Sequence, residues 1–173
     1  DDYEYRTFIT IDPAISKEET ADEAAIVLHT IDMAGVPQAT EIIARQGMTP
    51  DIMAAEVYAL CEKWNCNVVG CESVALQATL LYYFDLAFMT MGKDGVHFLP
   101  IKLGKANKTA RLRTWAAALC DGSYTLAEND WAISSQMIEF DVRSTNNKDD
   151  RIDAGSMGLY MLKNHSDLIF QPR

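Results

Sequence analysis

A chain of 173 residues with 49% hydrophobic content and mixed charge is long enough for one full-sized core and too apolar to stay disordered. It contains no apolar run approaching the ~20 residues of a membrane-spanning helix. Its net charge of −10 argues against a protein wrapped on all sides by nucleic acid, although Lys102, Lys105, Lys108, Arg111 and Arg113 form one dense basic stretch that suits local phosphate contact.

The opening residues, Asp1-Asp2-Tyr3-Glu4, are not a signal peptide. A strand follows almost at once, as expected of a domain taken from a longer protein. Thr7 to Pro13 is rich in β-branched and aromatic residues and closes on proline. Phe8, Ile9 and Ile11 suit a central strand covered on both faces. Asp12 sits on its last rung, at the rim where ligands bind in α/β sheets; a solvated turn aspartate before proline has the same local pattern.

Ala14 to Asp22 reads as a polar loop. Ala24 to Ile31 and Thr40 to Gln46 read as strands, giving an antiparallel meander with the first. Pro50 to Trp64 carries Ile52, Ala55, Val57, Leu60 and Trp64 at helical spacing, with Thr49 as N-cap and Pro50 in the first turn. Asn67 to Glu72 is a short apolar strand that, like the first, ends on an acid. Val74 to Met91 is a second helix, and its Tyr82, Tyr83, Phe84 and Phe88 read as core rather than as a base-stacking platform. Val96 to Leu103 is extended, Lys108 to Leu119 helical, and Tyr124 to Leu126 a short strand. Asp130 to Phe140 is a helix with Trp131, Ile133 and Ile138 apolar. A polar loop then leads to a last helix from Asp149 to Lys163, which Gly155 and Gly158 are expected to loosen by about 1 kcal/mol each against alanine. This order predicts an α/β fold, a mixed sheet of five or more strands with helices on both faces.

The spacing of Cys61, Cys66, Cys71 and Cys120 is not that of a zinc site, so reduced, largely buried thiols are expected. His29, His97 and His165 show no spacing to each other or to the acids, and none is read as a catalytic base.

Three acidic sites end in comparable places. Asp12 closes the first strand, Glu72 the fourth, and Asp149, Asp150 and Asp153 open the last helix. If the first and fourth strands are neighbours, Asp12 and Glu72 lie side by side. Asp150 and Asp153 share a helix face. Gathered carboxylates repel, and a bound pair of divalent cations is the usual physical reason to keep them. Acids at a helix start also favour the helix dipole by themselves.

Four stretches carry a family resemblance. They are Thr10-Ile11-Asp12-Pro13-Ala14 with Asp22 to Val27, Val68 to Glu72, Lys105 to Arg111, and Asp149-Asp150-Arg151-Ile152-Asp153-Ala154. Together they resemble the C-terminal nuclease domain of the large terminase subunit of tailed bacteriophages, a ribonuclease H-like fold. The resemblance implies a metal-dependent endonuclease that cuts concatemeric double-stranded viral DNA during packaging. It implies Asp12, Glu72 and Asp150 as a catalytic triad holding two divalent cations, Mg²⁺ or Mn²⁺. Asp153 and Asp149 would support them, and Lys105, Lys108 and Arg111 would contact DNA phosphates. It further implies the ATPase domain of the same protein, the portal protein and the small terminase subunit as partners, and a place in the host cytoplasm, transiently at the procapsid portal. Lys148 stands where many relatives have histidine. No Gly-x-x-x-x-Gly-Lys-Ser/Thr motif occurs, so the chain is expected to be a single nuclease domain, 1–173, without the motor. Two competing readings are a junction resolvase or other ribonuclease H-like nuclease, and a non-catalytic docking module for the packaging machine.

Overall fold

The computed structural model describes residues 5–13, 23–72, 77–103, 108–127, 131–141, 143–144 and 147–171, with 77 and 78 as backbone only. Lys105, Asp22, Asp130 and the segments 14–22 and 73–76 of the sequence reading lie outside the described residues. The strands are β1 (Arg6–Asp12), β2 (Ala24–Ile31), β3 (Pro37–Arg45), β4 (Val68–Glu72), β5 (His97–Ile101) and β6 (Thr125–Leu126). The helices are α1 (Pro50–Lys63), α2 (Gln77–Thr90), α3 (Lys108–Asp121), α4 (Trp131–Glu139), α5 (Asp150–Asn164) and the short α6 (Ser166–Ile169).

All of these strands join one mixed sheet in the order β5-β4-β1-β2-β3-β6. β1, β2 and β3 form the expected antiparallel meander. β4 runs parallel to β1, β5 to β4 and β6 to β3. β2 is buried along its whole length, because both faces of the sheet are covered. Ile9, Ile11, Ile26, Leu28, Val69 and Cys71 pack under α1 and α2 with Val57, Leu60, Phe84 and Phe88. Alternate residues of the same strands point the other way. Phe8, Val27 and Val68 belong to the opposite layer, with Trp115, Ile152 and Met157 from α3 and α5. Each such buried side chain contributes roughly 1.5–3 kcal/mol of hydrophobic stabilisation.

Helix α1 begins as expected: Pro50 opens it, and Thr49 Oγ1 accepts from the Ile52 N–H at 3.4 Å. Its buried stripe, however, is Met53, Ala54, Val57, Leu60 and Cys61. Ile52 is 43% exposed, because it lies about 100° round the helix from Met53. In α2, Phe84 and Phe88 are core but Tyr82 is 70% exposed, beside Leu86 and Met89 on the outer face. In α4 only Ile133 is buried; Trp131 and Ile138 face outward. Cys61, Cys66 and Cys71 are buried free thiols, while Cys120 is exposed.

The two glycines of α5 correct the sequence reading in sign. A Cβ on Gly155 would stand 2.5 Å from the Trp115 ring, and one on Gly158 would stand 2.9 Å from His29 and closer still to the Tyr124 hydroxyl. They are notches through which α5 sits down on its neighbours, not loose points in the helix. Among the described residues no helix is long and apolar enough to cross a membrane.

Candidate active site

β1 and β4 pair in parallel, with Ile11 opposite Cys71 on the last rung they share. The next residue on each strand is an acid, so Asp12 and Glu72 leave the sheet side by side. Both follow the alternation of Phe8 and Val68, on the layer that holds α5. Burial raises the Asp12 carboxyl well above its ordinary range. Repulsion from Asp153, Glu72 and Asp150 adds to this, and Lys108 opposes it. Glu72 is raised by burial and by Asp153, with Arg111, hydrogen bonding with Asp12, and Lys108 pulling the other way.

The third strand-end partner comes from the N-terminus of α5. Asp149 occupies the N-cap without a capping side-chain bond. The cap is supplied from α4: Gln136 Oε1 accepts from the Arg151 N–H at 3.0 Å and the Ile152 N–H at 3.4 Å. That satisfies two of the donors a helix start leaves open. Asp150 Oδ2 accepts from the Glu23 N–H at 3.1 Å. Arg151 Nε donates to Glu23 Oε2 at 3.1 Å, closing a clamp between the start of β2 and α5.

Asp153 is buried and both its oxygens are paired. Arg111 Nη2 donates to Oδ1 and Lys108 Nζ to Oδ2. Lys108 Nζ also pairs with Asp149 Oδ2 at 2.8 Å. Arg111 is fixed further by its Nε, which donates to Ser156 Oγ at 2.9 Å. Burial by itself would lower the Lys108 amine, but Asp149 and Asp153 outweigh it and hold it above its ordinary value. The basic helix α3 thus turns two of its cations onto the acids of α5.

The structure gathers Asp12, Glu72, Asp149, Asp150 and Asp153 at one sheet edge, together with Lys108 and Arg111. Lys105 lies outside the described residues. The donor set, carboxylate oxygens only, fits a hard divalent cation, and the raised Asp12 and Glu72 carboxyls are groups that a cation would relieve. Among the described residues, no three acids stand together as a cation-holding group. Asp153 is engaged by Lys108 and Arg111, and Asp150 by the Glu23 amide. Sequence reasoning missed Glu23, Gln136 and Ser156 as parts of this edge. Polar side chains that meet only in three dimensions carry no local signal.

Behind the acids lies a buried polar string: Thr10 of β1, His29 of β2 and Tyr124 before β6. Thr10 Oγ1 stands 2.7 Å from both His29 Nε2 and the Ala154 carbonyl oxygen, to which it donates. The Tyr124 hydroxyl pairs with His29 Nδ1. His29 also stacks on Phe8 with ring centres 4.6 Å apart.

Comparison with known proteins places this arrangement. No curated protein matches the sequence. Among solved structures, the chain is similar to the P22 large terminase nuclease domain, with a TM-score of 0.64 and 13% identity over 99% of this chain and 89% of that one. It is similar to the human cytomegalovirus terminase nuclease domain, a manganese-soaked, inhibitor-bound structure, with a TM-score of 0.63 and 9% identity over 99% and 90% of the two chains. The fowlpox virus Holliday junction resolvase matches with a TM-score of 0.56 and 14% identity, over 91% and 97%. At these identities the matches speak to the fold, a mixed sheet of the ribonuclease H-like type. The sequence itself matches the profile of the terminase RNaseH-like domain over residues 9–162, and the chain belongs to that family.

Proposed function

We propose that this domain is a metal-dependent endonuclease that cuts double-stranded viral DNA during genome packaging. The observation that carries the reading is the pairing of β1 with β4 beneath the start of α5, which puts Asp12 and Glu72 side by side, with Asp150 and Asp153 close enough to repel Asp12. Asp12, Glu72 and Asp150 would hold two divalent cations, Mg²⁺ or Mn²⁺, with Asp153 and Asp149 in support. Such ions supply a water of lowered pKa at neutral pH and neutralise charge on the leaving oxygen of the phosphodiester. The manganese in the cytomegalovirus relative supports a divalent cation of this kind.

The chain's own groups prepare that chemistry. Asp12 and Glu72 would hold the cations as carboxylates, and the cations would offset the repulsion among the acids. Lys108 and Arg111 pair with Asp153, and a DNA phosphate entering the edge would meet them together with the positive end of the α5 dipole. The reaction joins a water oxygen to phosphorus and breaks one phosphorus–oxygen ester bond. We read the chain, 1–173, as the nuclease domain of a longer protein that carries an ATPase domain. It would act with the portal protein and small terminase subunit in the host cytoplasm, transiently at the procapsid portal.

Plasmid cleavage with Mn²⁺, Mg²⁺, Ca²⁺ or EDTA tests the reading. Cutting that depends on Mn²⁺ or Mg²⁺ and disappears in Asp12→Asn is expected; metal-dependent cutting that survives both Asp12→Asn and Asp150→Asn overturns the site. The resolvase match favours a second reading, junction cleavage. A strong preference for four-way junctions over linear duplex supports that one instead.

A further inference from the structure

The Thr10–His29–Tyr124 string has one consistent direction. Thr10 O–H is committed to the Ala154 carbonyl, so Thr10 Oγ1 can only accept from His29, and Nε2 must carry the ring hydrogen. Nδ1 is then bare and accepts from the Tyr124 hydroxyl. A neutral ring meets this requirement. Burial pulls His29 down to about 3, and the ring is wholly inside the protein. Each donor in the string has one acceptor, and no member can be exchanged for an apolar residue without orphaning the next.

The string joins elements that carry the acids. Thr10 lies two residues before Asp12 on the same face of β1. Ala154 follows Asp153 directly. Gly158, one turn further along α5, admits the Tyr124 hydroxyl and the His29 ring because it has no Cβ. Helices on a sheet slide more easily than they separate, since hydrophobic contact has little direction. A directed hydrogen bond from a strand to one named carbonyl removes that freedom.

We propose that Thr10, His29 and Tyr124 are positioning residues: their hydrogen-bond string sets where α5 rests along β1, and so the spacing between Asp12 and the aspartates that open α5. The proposal rests on the endonuclease reading of this edge. It assigns the string no contact with substrate or cation; it acts through the placement of Asp150 and Asp153.

Three variants test it on the purified chain. Thr10→Val keeps the shape and removes the hydroxyl, Thr10→Ser restores it, and Tyr124→Phe deletes one oxygen at the far end. Mn²⁺ affinity is measured by calorimetry without DNA, and the backbone amide signals of Asp150 and Asp153 by ¹⁵N NMR without metal, all below the unfolding range. Thr10→Val is expected to weaken Mn²⁺ binding about tenfold or more and to move both amide signals. Thr10→Ser is expected to return both to the wild-type values, and Tyr124→Phe to move the His29 ring nitrogen signals and, more weakly, the same two amides. A folded Thr10→Val protein with unchanged Mn²⁺ affinity and unmoved amides overturns the proposal, and so does a Thr10→Ser protein that behaves like Thr10→Val. If wild type neither binds Mn²⁺ nor cuts DNA, the endonuclease reading fails; the amide signals still decide whether the string places α5.

Discussion

Gly158→Ala sets two physical arguments against each other. Helix propensity alone says that alanine stabilises an interior helical position by about 1 kcal/mol over glycine. The structure says otherwise. The new methyl would stand 2.9 Å from His29 and closer to the Tyr124 hydroxyl. Neither group can step back: His29 is stacked on Phe8, and Tyr124 meets the Trp115 ring edge-on with centres 6.0 Å apart. Overpacking a rigid site costs about 1–3 kcal/mol. Prying Tyr124 from His29 leaves a buried polar group without its partner, a further ~1–3 kcal/mol. Set against the propensity gain, the net loss is about 1–5 kcal/mol, a fall in thermal midpoint of at least about 2 °C for a domain of this length. Thermal or urea unfolding of the two proteins measures it. A midpoint that stays put or rises would refute the notch and favour the propensity argument. Gly155→Ala, against the Trp115 ring, should move the same way but less, since no hydrogen bond is broken.

The remaining predictions concern the acids and their neighbours. Asp12→Asn should abolish cutting yet raise the midpoint of the metal-free domain by about 2–4 °C, because it relieves a buried repulsion worth on the order of 1 kcal/mol; a lowered midpoint counts against the clustered-acid geometry. The pH dependence follows from the raised Asp12 and Glu72 carboxyls. A folded-state value above the unfolded one means the native state binds more protons in the interval between them. The stabilisation is therefore complete below the ordinary carboxylate values and is lost as pH rises through the raised ones. The metal-free midpoint should fall across that interval, with the slope reduced in Asp12→Asn, while Mn²⁺ affinity rises over the same range; calorimetry across a pH series reads both. Lys108→Met removes one cation that pairs with Asp149 and Asp153. It should tighten Mn²⁺ binding and reduce the salt slope of DNA binding by about 1, as read by titrations at several ionic strengths. Gln136→Leu leaves two α5 amides uncapped and should cost about 1 kcal/mol in an unfolding titration.

Most of the fold was legible because its signals are local. The apolar strand from Ala24 to Ile31 coincides with β2, and Thr49-Pro50 marks the start of α1. The two strand-end acids, Asp12 and Glu72, were legible as neighbours once the strands were paired. What stayed hidden depends on partners distant in the chain. Gly155 and Gly158 look like weak helix formers until Trp115, Tyr124 and His29 are seen against them. Lys108 and Arg111 look like a solvent-facing stripe until Asp153 is found between them. His29 has no spacing to any acid because it acts through Thr10 and a carbonyl, and a carbonyl has no letter in the sequence. Ile52 and Tyr82 were misplaced for a simpler reason: an apolar residue one position off the stripe looks the same in a periodicity count.

The order of the strands in the sheet carries a consequence for synthesis. β1 is near the start of the chain and lies at the centre of the sheet, while α5, which completes the acidic edge above it, comes after every strand. Contacts this distant in sequence form late, since the loop between them must close first. A chain emerging from the ribosome therefore holds Asp12 and Glu72 long before Asp150 and Asp153 can join them. Until the last long helix docks, the acids are scattered on an unfinished sheet, and the acidic edge is incomplete.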